Sequence, residues 1–120
     1  MRELARVAAS GCVFCLTLEP RRFIDFIDNI PSPTTNQWYE MLSVHKPNIP
    51  NYYQQFDAGE LTFMPTNPGV ESSYGDAVVP LSFIEQHWAP WFEVLDYVDD
   101  PNRFWQAVLV VRRTDTPLPS

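Results

Sequence analysis

The stretch CVFCLTL, residues 12–18, is a nearly unbroken run of strand-forming side chains following Gly11. Such a run predicts a strand covered on both faces, as in a parallel sheet packed between helices. It also holds the chain's two cysteines, Cys12 and Cys15, in a Cys-x-x-Cys spacing. Strand residues three apart point to opposite faces, so these sulfurs are not placed to share a metal ion or a bridge. Val13 and Phe14 between them offer no glycine or proline for a metal knuckle. The remaining soft ligands, His45 and His87, lack the local pairing of a zinc finger. A redox pair of thioredoxin type would stand at a helix N-terminus instead. Both cysteines are read as strand residues.

Working outward, Leu4, Val7 and Ala8 form a short helical stripe upstream, ended by Gly11. Downstream, Phe23, Phe26, Ile27 and Ile30 recur at helical spacing, opened by Glu19 and Pro20 and closed before Pro31. Prolines 31, 33, 47 and 50 then bracket a shorter stripe of Trp38, Met41 and Leu42. Proline continues neither a helix nor a central strand, so this segment is an ordered excursion from the main fold. NYYQQFDAG predicts another helical turn ended by Gly59. ELTFMPT alternates apolar Leu61 and Phe63 with polar neighbours, a short half-exposed strand. NPGVESSYGD is turn chemistry and AVVP a brief extended segment. LSFIEQHW is a helix, with Ser82 and Glu85 at capping-box spacing and Pro90 blocking its extension.

The last segments, WFEVLDYV and RFWQAVLVVRR, are strands joined by the tight-turn sequence DDPN. So short a connection makes them antiparallel. The fold class is α/β, with a reversed hairpin at the edge of the sheet. A doubly covered strand needs parallel neighbours, and the chain supplies too few, so the pattern predicts an incomplete domain.

The 120 residues suffice for one domain with a core, and 45% apolar and 14% aromatic content predicts a packed interior. A formal net charge of −7 argues against nucleic-acid binding. Arg21-Arg22 and Arg112-Arg113 flank apolar segments and read as solvated ends of elements. No apolar run approaches the roughly 20 residues that span a bilayer, so no membrane partner is expected. Glu3 and Arg6 interrupt the N-terminal stretch, which argues against a secretory signal and for a cytoplasmic chain.

Asp96, Asp99 and Asp100 sit around a turn, where aspartate is favoured for backbone reasons. His87 and Trp88 read as packing and capping residues. His45 lies among prolines, and Trp38, Tyr39, Tyr52, Tyr53, Phe56 and Tyr74 cluster in and after the excursion. Those aromatics serve either as core or as the lining of a small-molecule pocket. No dinucleotide fingerprint, P-loop or nucleophile elbow is present, so the residues alone identify no reaction.

The stretch YGDAVVPLSFIEQHWAPWFEVLDYVDDPNRFWQAVLVVRR resembles the C-terminal portion of class I S-adenosylmethionine-dependent methyltransferases. There a YG-x-A segment leads to a helix ending near tryptophan, then a strand, a short turn and a long last strand. Here the parts are Tyr74-Gly75-Asp76-Ala77, the helix from Ser82 to Trp88, and the two final strands. LARVAASGCVFCLT is similar to the family's helix, Pro-Gly-Gly turn and fifth strand, with Ala9-Ser10-Gly11 at the turn. FDAGELTFMPT and YGDAVVP are similar to an insertion before the sixth strand in a bacterial subgroup.

The resemblance spans residues 4–113. It implies a single partial methyltransferase-like domain over 1–120: the C-terminal part of a Rossmann-like sheet, with a fifth strand, an insertion, and a sixth/seventh-strand hairpin. The Pro-rich, aromatic insertion, 31–74, would face a small-molecule acceptor. No positions here match the cofactor-binding half, so S-adenosylmethionine is expected to serve the complete enzyme and not to bind tightly to this chain. His45, Tyr52, Tyr74 and Asp76 are the candidates for acceptor contact or for a base; no catalytic residue is assigned. The alternative is a non-enzymatic binding module, dimeric through the exposed edge of the 12–18 strand.

Overall fold

The computed structural model describes residues 1–66 and 75–119. Its elements follow in order as α1 (Arg2–Val7), β1 (Val13–Leu18), α2 (Arg21–Asp28), α3 (Gln37–Ser43), a 3-10 turn (Lys46–Asn48), α4 (Ile49–Asp57), β2 (Thr62–Pro65), β3 (Gly75–Val78), α5 (Leu81–His87), β4 (Phe92–Val98) and β5 (Ala107–Arg113). The chain is mixed α/β, in the element order that the sequence pattern predicts. It divides into two units, Met1–Leu18 with Leu81–Ser120, and Glu19–Pro80.

The first unit is built on a three-stranded sheet ordered β1-β5-β4, antiparallel throughout. This corrects the doubly covered strand in a parallel sheet. β1 alternates strictly, with Val13, Cys15 and Thr17 exposed and Phe14, Leu16 and Leu18 half-buried. An unbroken apolar run records strand propensity on both faces but not whether anything covers them. β5 carries the core of this unit, since Ala107, Leu109 and Val111 are all fully buried. Phe14 and Phe92 meet edge to face on that side, their ring centres 6.0 Å apart, and Phe92 also packs on Trp88. A bulge at Leu95 breaks the β4 register between Val94 and Asp96.

Four further expectations change here. Val7 is two-thirds exposed, and Ala5 is the buried residue of α1. Arg113 is no solvated end: it is 8% exposed, and its guanidinium donates to the carbonyls of Ala5, Thr114 and Thr116 at 3.0, 2.6 and 2.9 Å. Those carbonyls lie at α1 and the C-terminal tail, which the side chain therefore ties to β5. The β4–β5 connection is wider than a tight turn, because β5 begins at Ala107. Arg103 and Phe104 both donate their backbone N–H to Asp100 instead of entering the ladder. α5 opens at Leu81, so Ser82 lies inside the helix and not at its cap.

The second unit packs α2, α3 and α4 with the β2–β3 hairpin around Ile24, Ile27, Ile30, Leu42, Ile49, Met64 and Val78. The buried stripe of α2 is Phe23, Ile24 and Ile27, with Ile30 buried just past its end; Phe26 is 37% exposed and packs on Trp38 and Tyr39. α3 buries Leu42 alone of its predicted stripe, leaving Trp38 and Met41 about half exposed. Its start is fixed by Asn36, whose side chain accepts from the N–H groups of Trp38 and Tyr39. β2 turns Thr62 and Met64 inward, and Leu61 and Phe63 outward. The face of Thr62 and Met64, shared with Val78 across the hairpin, is the one in the core, and the two strands run close: a Cβ at Gly75 would lie 2.2 Å from the carbonyl oxygen of Met64. Only glycine allows so close an approach.

Candidate functional site

Of the four candidate site residues, His45, Tyr52 and Asp76 lie in the second unit, and Tyr74 lies outside the described residues. His45 follows α3 and precedes the 3-10 turn, a link held by His45 N–H to Leu42 O and Asn48 N–H to His45 O. That link aims the imidazole inward, where it is 2% exposed. Its Nδ1 lies 3.2 Å from the Tyr52 hydroxyl, and the two rings meet edge to face. Tyr52, on α4, is itself 8% exposed.

Burial lowers the pKa of His45 below its ordinary 6.5, and the negative charge of Asp76 acts in the opposite direction. Burial also raises the Tyr52 phenol, against a weaker opposing hydrogen bond with Asn48. At neutral pH the pair is thus a neutral imidazole beside a neutral phenol. Either the hydroxyl donates to Nδ1 or the opposite tautomer donates to the hydroxyl. Asp76, on β3 opposite Met64, is half-buried. The three together offer an uncharged base, a phenol and a carboxylate within one small unit.

The first unit contributes a different feature. β1 pairs with β5 along one edge, and among the described residues no strand pairs with the other. Arg113 and Phe92 oppose each other and point to the side where α1 and Trp88 pack. The opposite face carries Val13, Cys15 and Thr17, exposed, beside half-buried Val108 and Val110. A single ion pair, Arg112 to Glu93 at 3.1 Å, sits toward its end. This face is apolar at Val13, Val108 and Val110 and charged at Glu93, Asp96 and Arg112.

No protein-family model, curated protein or solved structure matches this chain.

The remaining chemical groups serve the fold. Asp100 accepts from the backbone N–H of Asn102 and Asp96 from that of Tyr97, local bonds of loop and bulge. His87 stacks on Phe83. Cys12 and Cys15 are free thiols on opposite faces of their strand segment, and no group of three or more metal-ligating side chains occurs among the described residues. No helix among them is long and apolar enough to cross a membrane.

One cluster escaped the sequence reading. Arg21 donates to both carboxylate oxygens of Asp57 at 3.0 and 3.1 Å, and lies 4.4 Å over the Tyr53 ring. Tyr53 in turn donates to Asp25 at 2.5 Å, which links α2 to α4. Burial and then this hydrogen bond to a carboxylate push the Tyr53 pKa up to about 12. Alkaline absorbance titration of the folded protein is therefore expected to show a phenol ionising near pH 12. Tyr53→Phe should remove that step; an unchanged titration would refute the assignment.

Proposed function

We propose that this chain is the acceptor-side, C-terminal half of a class I S-adenosylmethionine-dependent methyltransferase. In this reading the cofactor-binding half docks on the open edge and open face of the first sheet. The observation that carries it is β1. Its terminal hairpin neighbours, β5 and β4, join it in one sheet, as the resemblance requires of the fifth strand and the last two. Helix cover lies on one face, whereas a doubly wound sheet is covered on both. The exposed Val13 and half-buried Val108 and Val110 supply apolar area for the missing layer.

The residues of this chain do not fit the cofactor itself. The turn from β1 into α2 is Glu19-Pro20 and that from β3 into α5 is Val79-Pro80, with no glycine to admit a close ligand. What the chain offers is the acceptor side. Methyl transfer from a sulfonium needs chiefly an aligned nucleophile, and a base helps where that nucleophile carries a proton. His45 and Tyr52, both neutral, and the Asp76 carboxylate, with Tyr74, are the proposed acceptor groups.

Two titrations test this. Calorimetry of S-adenosylmethionine against the chain alone is expected to give no binding heat. The same titration against the chain extended by the segment encoded upstream is expected to give one site. Tight binding to the chain alone overturns the reading, as does an upstream segment without a strand followed by a glycine-rich turn.

A further inference from the structure

The free edge of β1 has a definite hydrogen-bonding pattern. Arg113 donates its N–H to Cys12 O at 2.8 Å, which turns Cys12 toward β5. By the alternation of an antiparallel ladder, Phe14, Leu16 and Leu18 also face β5, and Val13, Cys15 and Thr17 turn their N–H and C=O groups away. Glu19 is next in that alternation, and its carbonyl already accepts from Val79 N–H at 3.2 Å. The open edge therefore runs from Val13 to Thr17.

None of the usual guards stands on it. Val13–Leu18 contains no charge, no proline and no bulge. An uncharged edge meets no like charge when it meets a copy of itself. An antiparallel copy is generated by a two-fold axis normal to the sheet, which closes the assembly as a dimer. Directly opposed residues must point to the same face, so the axis falls on Phe14, Cys15 or Leu16. With Cys15 on the axis, Val13 faces the partner's Thr17, Cys15 faces the partner's Cys15, and every free N–H and C=O of both edges is used. With Leu16 on the axis, Val13 would face Glu19 of the partner subunit, whose carbonyl is taken. With Phe14 on the axis, Thr17 would lie beyond the partner's strand.

We propose that two copies of this chain pair antiparallel through the free edges of β1, about a two-fold axis beside Cys15. The result is one continuous six-stranded sheet. This concerns the chain by itself: the pairing takes the same β1 edge on which the methyltransferase reading docks the cofactor-binding half, so either occupant excludes the other. Cys15 is the built-in reporter, since it is exposed and has a free thiol. A hydrogen-bonded antiparallel pair sets the two Cα atoms about 5.5 Å apart, inside the range of roughly 4.4–6.8 Å that a disulfide spans.

Light scattering behind size exclusion, under reducing conditions, is expected to give twice the mass of one chain. Diamide takes up the two thiol hydrogens as one S–S bond forms, and should cross-link the wild type and Cys12→Ser but not Cys15→Ser. Thr17→Pro removes an outward N–H without touching the β1–β5 ladder, and is expected to yield a monomer with an unchanged circular dichroism spectrum. Cys15→Lys sets two ammonium groups face to face on the exposed side and should do the same. A single-chain mass for the wild type, a cross-link through Cys12, a dimer that Cys15 does not cross-link, or a dimer that survives Cys15→Lys each overturns the proposal. A single-chain mass leaves the cofactor titrations unaffected, and cofactor binding to the chain alone leaves the dimer unaffected.

Discussion

Ile24→Ala is expected to destabilise the Glu19–Pro80 unit by about 2–5 kcal/mol, the usual cost of emptying a large buried aliphatic site. Ile24 is fully buried, in the cluster that includes Ile27, Leu42, Tyr52, Met64 and Val78. Small domains hold only about 5–15 kcal/mol in all, so this loss is a large share of the total. Phe26→Ala, two residues along the same helix, should cost only about 1 kcal/mol. It removes stacking on Trp38 and Tyr39 from a ring that is already 37% exposed. Leu109→Ala should act like Ile24→Ala but on the first unit, where Leu109 is fully buried on β5. Urea denaturation gives the sizes, and amide hydrogen exchange shows which unit loses protection. Equal costs for Ile24→Ala and Phe26→Ala would refute the buried stripe described for α2.

That contrast shows what periodicity could and could not reveal. The helical spacing of Phe23, Phe26, Ile27 and Ile30 located α2 correctly. That stripe took in Phe26 and left out Ile24, and spacing alone does not say which of the two flanks is covered. The helices α3 and α4 and the Phe26 contact decide it, and these are tertiary facts. The same holds in β2. Leu61 and Phe63 are the apolar members, yet Thr62 and Met64 are buried, because their face of the hairpin, shared with Val78, is the one turned to the core of α2 and α4. Which face of a short hairpin meets the helices is a tertiary fact that the alternation alone does not record.

β1 was legible in a different sense. Its propensity was plain from CVFCLTL, and so was the antiparallel pairing of the last two strands. The error lay in deducing two covered faces from an apolar composition. Val13 and Cys15 are strand formers that stand uncovered in the described chain. Of the candidate site, the sequence singled out His45 and Tyr52 for their neighbourhood of prolines and aromatics. Their hydrogen bond depends on the 3-10 turn at Lys46–Asn48, which brings α4 back beside the end of α3. The Arg21–Asp57 pair, 36 residues apart, has no local signature at all. Only the fold brings it together.

Acidification from pH 7.5 to 5 is expected to destabilise the Glu19–Pro80 unit through His45. Burial holds the folded-state pKa of this imidazole below the ordinary 6.5, so the unfolded chain binds the proton more readily. Stability is therefore undiminished above pH 6.5, falls as the pH drops through it, and stops falling below the folded-state value. Each pKa unit of depression is worth about 1.4 kcal/mol. Tyr52 does not titrate in this window, because its pKa is raised from 10. The carboxylate of Asp57, held below 3.8 by its hydrogen bond from Arg21, contributes only to a separate loss at lower pH. His45→Gln keeps a hydrogen-bonding side chain opposite Tyr52 but has no proton to bind, so the decline between pH 7 and 5 should shrink. Asp76→Asn should enlarge it, since the Asp76 charge is what partly supports the imidazolium. Urea midpoints of the three proteins at several pH values decide the matter. If wild type and His45→Gln decline in parallel, the imidazole is not the buried neutral group that the Tyr52 contact implies, and its place among the acceptor residues falls with it.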